Sequence, residues 1–494
     1  MRAEKMIGML FGMRKMISSV VAGLLCFGAS ISVPASAQAD DLQAMLNKAG
    51  QEKTGVDLAA GRTYVVQKTL KVPEGVRYIR GHSARLDVRT QGTSSELASA
   101  FELAKETSGI ELSDFTLNMK NSSFSSGISG DHISNVTVRN VTMNDVNYRG
   151  VSILADHGDV SNVTVDKNTI SMVNGDKDAV AIFASTNREK DSYRGTRSEV
   201  WKRYVETGKI AKPQYAHTKL AITSNTIEGG YYGVEFSGVV HSHITGNVIR
   251  NNTRNISMQD RSNNNTVENN QLRDSISSSV HIAYGSESND VKGNNIVTRR
   301  AYGQGILQAY QGSKNNTFSG NSVTTRDKHP SWLLYVGPDS GGTTFTGNTV
   351  DGTANRAFVG VESVWDGDSS LSHLNGAKDN PHSYMVQGES EKPSGGTVRY
   401  AGGNGPLENI TITGNTFTPR NKTLPVVYVG AEVSKAQNGR QEVRGDIKGI
   451  NVSGNTIKGV KGNDYSELLV THEGSLNGVG AATITFTDKS VVAQ

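Results

Sequence analysis

The chain has 494 residues, 20% charged and 35% hydrophobic, with 54 Gly, 40 Asn, one cysteine (Cys26) and a formal net charge of +4. A single cysteine excludes a disulfide-stapled scaffold and a cysteine-rich zinc site. The small net charge and many β-branched residues exclude an intrinsically disordered chain.

Residues 1–37 read as a secretory signal. Arg14 and Lys15 form a basic start, Ile17 to Val33 an apolar stretch, and Ala35-Ser36-Ala37 a small-residue cleavage site. Cleavage after Ala37 removes four basic residues and one acidic one, leaving 51 − 4 = 47 Lys and Arg against 47 − 1 = 46 Asp and Glu, a net charge of +1. The product is expected to be secreted or periplasmic and free of cysteine. Its charge gives no argument for a nucleic-acid partner. No second apolar run is long enough to span a membrane, so no membrane anchor is expected. Residues 38–54 read as an N-terminal cap or linker, and 486–494 as a C-terminal tail.

From residue 110 onward one string recurs: Ile-Thr-Ser-Asn225-Thr-Ile, Ile-Thr-Gly-Asn247-Val-Ile, Phe-Ser-Gly-Asn321-Ser-Val, Phe-Thr-Gly-Asn348-Thr-Val, Ile-Thr-Gly-Asn415-Thr-Phe and Val-Ser-Gly-Asn455-Thr-Ile. Variants centre on Asp114, Asn140, Asn168, Asn270 and Asn294. Successive steps from Asn225 are 22, 23, 24, 27 and 27 residues. A period of this size with short β-rich segments predicts a β-solenoid. A second strand precedes each Asn by about ten residues, as in Tyr232–Phe236, Val280–Ile282 and Leu333–Val336. The repeated Asn suits a ladder in which each amide bonds those above and below, and it tolerates left-handed geometry at a corner. The alternative is a set of Gly-Asn hairpin turns in an antiparallel sandwich.

The strings Asn263-Asn-Asn-Thr-Val-Glu-Asn-Asn270 and Thr344-Phe-Thr-Gly-Asn-Thr-Val350 resemble the repeats of right-handed parallel β-helix proteins of the pectate-lyase-like superfamily, including carbohydrate-active and NosD-type repeats. Val56 to Val76 resembles the usual opening turn of such a helix. The resemblance covers residues 55–485. It implies an all-β fold, a right-handed single-stranded parallel β-helix of about 10–11 coils, in one domain. It says little about activity, since one fold hosts many functions.

Three coils are too long. Asn168 to Asn225 is 57 residues, Asn348 to Asn415 is 67, and Asn415 to Asn455 is 40. The surplus falls after the second strand each time, at 187–216, 365–406 and 431–445. Insertions at one place in the repeat map to one corner, often the binding face. The coils between Asn225 and Asn348 would then floor a groove suited to an extended polymer. Ser198 to Val205 reads as a short amphipathic helix within the first insertion. Trp365, Asp366 and Asp368 in the second are candidate sugar-binding groups, Trp365 by stacking.

Candidate chemistry centres on the groove floor. Asp176 and Asp178 form the sharpest acidic cluster and can serve as acid, base or calcium ligands. The cluster lacks the fuller motif set of polygalacturonases. Glu235, Ser257 and His281 alternate with apolar neighbours on successive coils and are expected to form an outward vertical row. His281, with an unperturbed pKa near 6.5, is a candidate base, and Tyr284 or Tyr310 can replace it. Arg254 or Arg261 can neutralise a carboxylate, and Asp260 completes the substrate-binding set. The catalytic candidates are thus Asp178, Glu235, His281 and Tyr284.

The reading that follows is an exported enzyme, a lyase cleaving a uronic-acid-containing exopolysaccharide by β-elimination. The alternatives are a C5-epimerase or glycoside hydrolase on such a polymer, or a non-catalytic exopolysaccharide-binding or assembly protein. The expected partner is a polysaccharide and the expected state a monomer. No metal site is assigned, and calcium is the one cofactor the acidic cluster would take.

Overall fold

The computed structural model describes residues 37–173, 179–186, 212–299, 301, 305–326, 330–337, 339–362, 407–420, 426–430, 434–436, 440–443, 447–459, 469–472, 476–477 and 484–486. Residues 187–211 of the first insertion, all of the second (365–406), the expected helix at 198–205, and Asp176, Asp178, Trp365, Asp366 and Asp368 lie outside them.

Each Asn-bearing string is two short strands that meet at the Asn, and the second strand of the sequence reading is a third. One coil runs through His243–Thr245, Val248–Arg250 and Arg254–Gln259. The first two belong to a bent 26-stranded sheet and the third to a 13-stranded sheet. Strand pairs stack coil on coil in parallel, which rules out the antiparallel sandwich; the one antiparallel pair among the described strands is Ser434–Ala436 with Arg440–Val443. The thirteen strands exceed the ten or eleven coils counted from Asn because the first coils carry no Asn at the corner.

Register explains the core. Ile244, Val267, Val291, Phe318, Phe345 and Ile412 stack in one inward column. Ile256, Val280, Leu307, Leu334, Val359 and Val427 form another from the opposite sheet. All are buried, and each such side chain contributes about 1.5–3 kcal/mol by leaving water.

The expected Asn ladder runs from Asn168 through Asn225, Asn247, Asn270, Asn294, Asn321, Asn348 and Asn415 to Asn455. At each step Nδ2 donates to the next Oδ1 at 2.9–3.0 Å, and the backbone N–H donates to the same oxygen. Two details differ from the sequence reading. Left-handed geometry belongs to the residue before the ladder Asn, such as Gly246 at φ +68°. Asn140 occupies that left-handed place (φ +52°) and is exposed, so the N–H of Val141 meets Asn168 Oδ1 instead. A second ladder, Asn265–Asn289–Asn316, turns another corner.

The helix Ala39–Glu52 covers the first coil. Leu42, Leu46 and Ala49 join the core. Gln43 bonds both the N–H and the carbonyl of Lys71, which occupies backbone groups that an open sheet edge leaves unpaired.

Candidate functional site

The strands Tyr232–Ser237, Arg254–Gln259, Ser278–Ile282 and Gly305–Ala309 lie side by side in the 13-stranded sheet. Their inward residues, Val234, Ile256, Val280 and Leu307, join the core. Alternation therefore turns Glu235, Ser257, His281 and Gln308 to the outer face, paired in that order. The expected row of Glu235, Ser257 and His281 is one straight column on adjacent coils.

The column is hydrogen-bonded. Ser257 Oγ lies 2.9 Å from His281 Nδ1, and His281 Nε2 lies 2.7 Å from Tyr310 Oη. Gln259 Nε2 donates to Ser257 Oγ at 2.6 Å and reaches Glu235 Oε1 at 3.4 Å. Two proton arrangements close the chain. In one, Ser257 donates to Nδ1 and Nε2–H donates to Tyr310. In the other, Tyr310 donates to Nε2 and Nδ1–H donates to Ser257, whose oxygen can accept both this bond and that from Gln259. Switching between them moves one proton along the whole chain.

Glu235, Ser257 and His281 face outward yet are only 2%, 0% and 1% exposed. Gln259 and Tyr310 bond onto the row itself, and Tyr232, which Gln259 Nε2 reaches at 3.5 Å and to which Arg254 donates, extends the network to Arg254. Burying such polar groups costs stability unless every one finds a partner. Burial also pushes the Tyr310 phenol well above its ordinary range, against the opposing pull of Arg254, so Tyr310 is a neutral phenol at physiological pH.

Arg254 Nη1 donates to Tyr232 Oη at 3.1 Å, with its guanidinium 5.8 Å from the Tyr232 ring centre. Tyr231 meets Tyr232 edge-on, with ring centres 4.7 Å apart. Arg254 and Tyr231 are half-buried and form the rim where the row meets solvent.

The remaining predicted residues lie at the corner after these strands. Asp260 Oδ2 accepts from Ser237 Oγ at 2.7 Å. Arg261 donates its backbone N–H to the carbonyl of Tyr284 at 3.1 Å. Asp260, Arg261 and Tyr284 all have left-handed backbones, with φ of +56°, +64° and +53°, so they are corner residues and not members of the row. Among the described residues no three His, Cys, Asp or Glu side chains converge as a metal site, and no helix is long and apolar enough to cross a membrane.

Two functional candidates escaped the sequence reading. Tyr232 and Gln259 flank the row on adjacent columns; Gln259 follows from alternation, two residues after Ser257 on the same strand, whereas Tyr232 stands outside that pattern and is found only by lateral packing. Farther along the same face, Trp332 lies across Gly360, whose added Cβ would stand 2.4 Å from the indole. Tyr335 and Tyr428 flank that indole at 6.3 and 5.2 Å. Arg356 sits 4.9 Å over Trp332 and pairs with Glu362 at 3.1 Å.

Known proteins share this architecture. The family described as "Periplasmic copper-binding protein (NosD)" matches residues 193–377. A tailspike protein mutant of Escherichia coli bacteriophage HK620, solved with a hexasaccharide, is 11% identical over 90% of this chain and 76% of that one, with a TM-score of 0.51. The chain is a parallel β-helix. The A-module of the Azotobacter vinelandii mannuronan C-5 epimerase AlgE6 is 14% identical over 90% of this chain and 94% of that one, with a TM-score of 0.46. A mutant DFA-IIIase of Arthrobacter chlorophenolicus A6, solved with DFA-III, is 12% identical over 90% of this chain and 93% of that one, with a TM-score of 0.47. No curated protein matches the chain.

Proposed function

We propose that this β-helix is an exported enzyme that acts on a uronic-acid-containing polysaccharide, by abstraction of the proton at C5 and β-elimination. The observation that carries the reading is His281, bonded through both ring nitrogens between Ser257 and Tyr310 in a dry column beside Arg254. A buried, hydrogen-bonded polar column on the outer face of a solenoid adds nothing to its core, and such costly clusters mark functional sites. The segment ending Ala35-Ser36-Ala37 supports export.

The roles follow from chemistry. The substrate carboxylate meets the Arg254 guanidinium, which stays charged at any physiological pH and stabilises the developing enolate. The C5 proton passes to Tyr310 Oη while the phenol proton passes to His281 Nε2, and Nδ1–H remains held by Ser257. The electron pair left at C5 forms the C4–C5 double bond, and the C4–O bond breaks. The leaving oxygen takes the proton held by the His281–Tyr310 pair. Glu235, through Gln259, orients Ser257, and Asp178 is a further candidate acid. An epimerase would share the first step and return the proton to the other face of C5.

Turnover on a panel of acidic polysaccharides tests the reading, since each elimination creates an unsaturated uronate that absorbs in the ultraviolet. Removing one acid–base group should slow turnover about 10²–10⁴-fold. His281→Gln, Tyr310→Phe and Asp178→Ala are therefore expected to lose activity by such a factor in protein that circular dichroism shows to be folded. Full activity in His281→Gln and Tyr310→Phe would reject the assignment.

A further inference from the structure

Three arginines stand on the edge of the same sheet, each packed on aromatic rings. Arg149 lies 4.8 Å over Tyr148 and 3.8 Å over Phe183. Arg254 lies 5.8 Å over Tyr232. Arg356 lies 4.9 Å over Trp332 and 5.4 Å over Tyr428. The register puts the first two in one column and the third beside it. Arg149 pairs with Val180, Val180 with Tyr232, and Tyr232 with Arg254, three coils on. The same column continues through Ser278, Gly305 and Trp332 to Ala357, the neighbour of Arg356, four coils farther. At about 4.8 Å per coil the gaps are about 14 and 19 Å.

Exposure follows the same pattern. The intervening Val180, Tyr232, Ser278, Gly305, Trp332 and Ala357 are buried, whereas Arg149, Arg254 and Arg356 are half-buried. Solvent therefore reaches this line at three arginine stations, Arg149, Arg254 and Arg356. At the first, Phe124 stacks near Tyr148 and is 43% exposed, among the most exposed large apolar side chains of the described residues.

We propose that these stations form a track for an acidic polysaccharide lying parallel to the solenoid axis across eight coils, with one anionic group at each guanidinium and sugar faces on the adjoining rings. This rests on the reading of the central station as a uronate site and extends it to both sides. Flat rings accept the apolar faces of sugars, and guanidinium groups bind carboxylates in a fixed fork. A nucleic acid also combines charge with flat faces, but its dense backbone is held through many phosphate contacts, about 6–10 in typical complexes. Three widely spaced guanidinium groups match a polymer engaged at intervals.

The test is binding, by affinity electrophoresis and calorimetry, of short and long oligogalacturonates to the full chain. Removing an end station deletes one contact of a multivalent ligand. Arg149→Gln and Arg356→Gln are expected to weaken the long oligomer about tenfold or more while leaving the short one unchanged, and Arg254→Gln to weaken both. Because Arg356 pairs with Glu362, the double variant Arg356→Gln/Glu362→Gln, which leaves no buried carboxylate behind, is measured beside the single one. Wild-type affinity for the long oligomer in the Arg149 variant and the double variant would overturn the track, as would tighter binding of a single-stranded oligonucleotide than of the oligogalacturonate. Length-dependent binding without turnover would leave the track standing and reject the catalytic reading.

Discussion

Replacing Asn270 by alanine perturbs the ladder at its middle. Its Oδ1 accepts from Asn247 N–H and Nδ2, both at 2.9 Å, and its Nδ2 donates to the Ile244 carbonyl at 2.8 Å and to Asn294 Oδ1 at 3.0 Å. Alanine removes all four bonds. Asn247 Nδ2 keeps the Ile222 carbonyl, and Asn294 Oδ1 keeps the N–H of residue 270. The Asn247 N–H loses its acceptor and the Ile244 carbonyl loses a donor, in a column that is 1% exposed at Asn270. At about 1–3 kcal/mol for each stripped buried group, the cost is about 2–6 kcal/mol. That is a large share of the stability of an ordinary domain. Asn295→Ala, one coil on and exposed, is the control, with an expected effect within about 0.5 kcal/mol. Urea unfolding followed by circular dichroism reads both. Equal midpoints for the two variants would refute the claim that the amides, and not the period alone, hold the coils in register.

Two further expectations follow from buried groups. His217 is fully buried with Nε2 3.3 Å from the Ile153 carbonyl, and burial lowers its pKa from 6.5 to about 4. The unfolded chain therefore binds a proton that the folded chain refuses, so stability should fall as pH drops from 6.5 towards 4, by about 3 kcal/mol from this group. His217→Gln should flatten that part of a stability–pH curve, and an unchanged slope would contradict the assignment. Gly360→Ala places a Cβ 2.4 Å from the Trp332 indole. Overpacking of this kind costs about 1–3 kcal/mol, so the melting temperature should fall, and an unchanged value would mean that the indole does not lie across the glycine.

The fold was legible because a solenoid repeats its instructions. Asn225, Asn247, Asn270 and Asn294 stand at steps of 22, 23 and 24 residues, and strict alternation around Val234, Ile256 and Val280 then dictates that Glu235, Ser257 and His281 share a column. The burial of that column was not legible. It depends on Tyr232 and Arg254 on one flank and Gln259 and Tyr310 on the other, and lateral packing between columns leaves no period in a single string. Tyr284 illustrates the same limit: the sequence offers it as a base in place of His281, but a left-handed backbone at φ +53° sets it at the corner. The shift from Asn140 to Val141 at the start of the ladder came from local backbone geometry that the Asn spacing alone could not distinguish.

The central claim is that the His281–Tyr310 pair removes the C5 proton of a uronate. Incubation of the protein with a polyuronate in heavy water, followed by nuclear magnetic resonance of the product, reads that step directly. The expected result is loss of the C5 proton, seen as an unsaturated uronate or as deuterium at C5, and its slowing about 10²–10⁴-fold in His281→Gln. A polymer that binds at Arg254 with its C5 protons intact, or exchange that proceeds unchanged in His281→Gln, would contradict it.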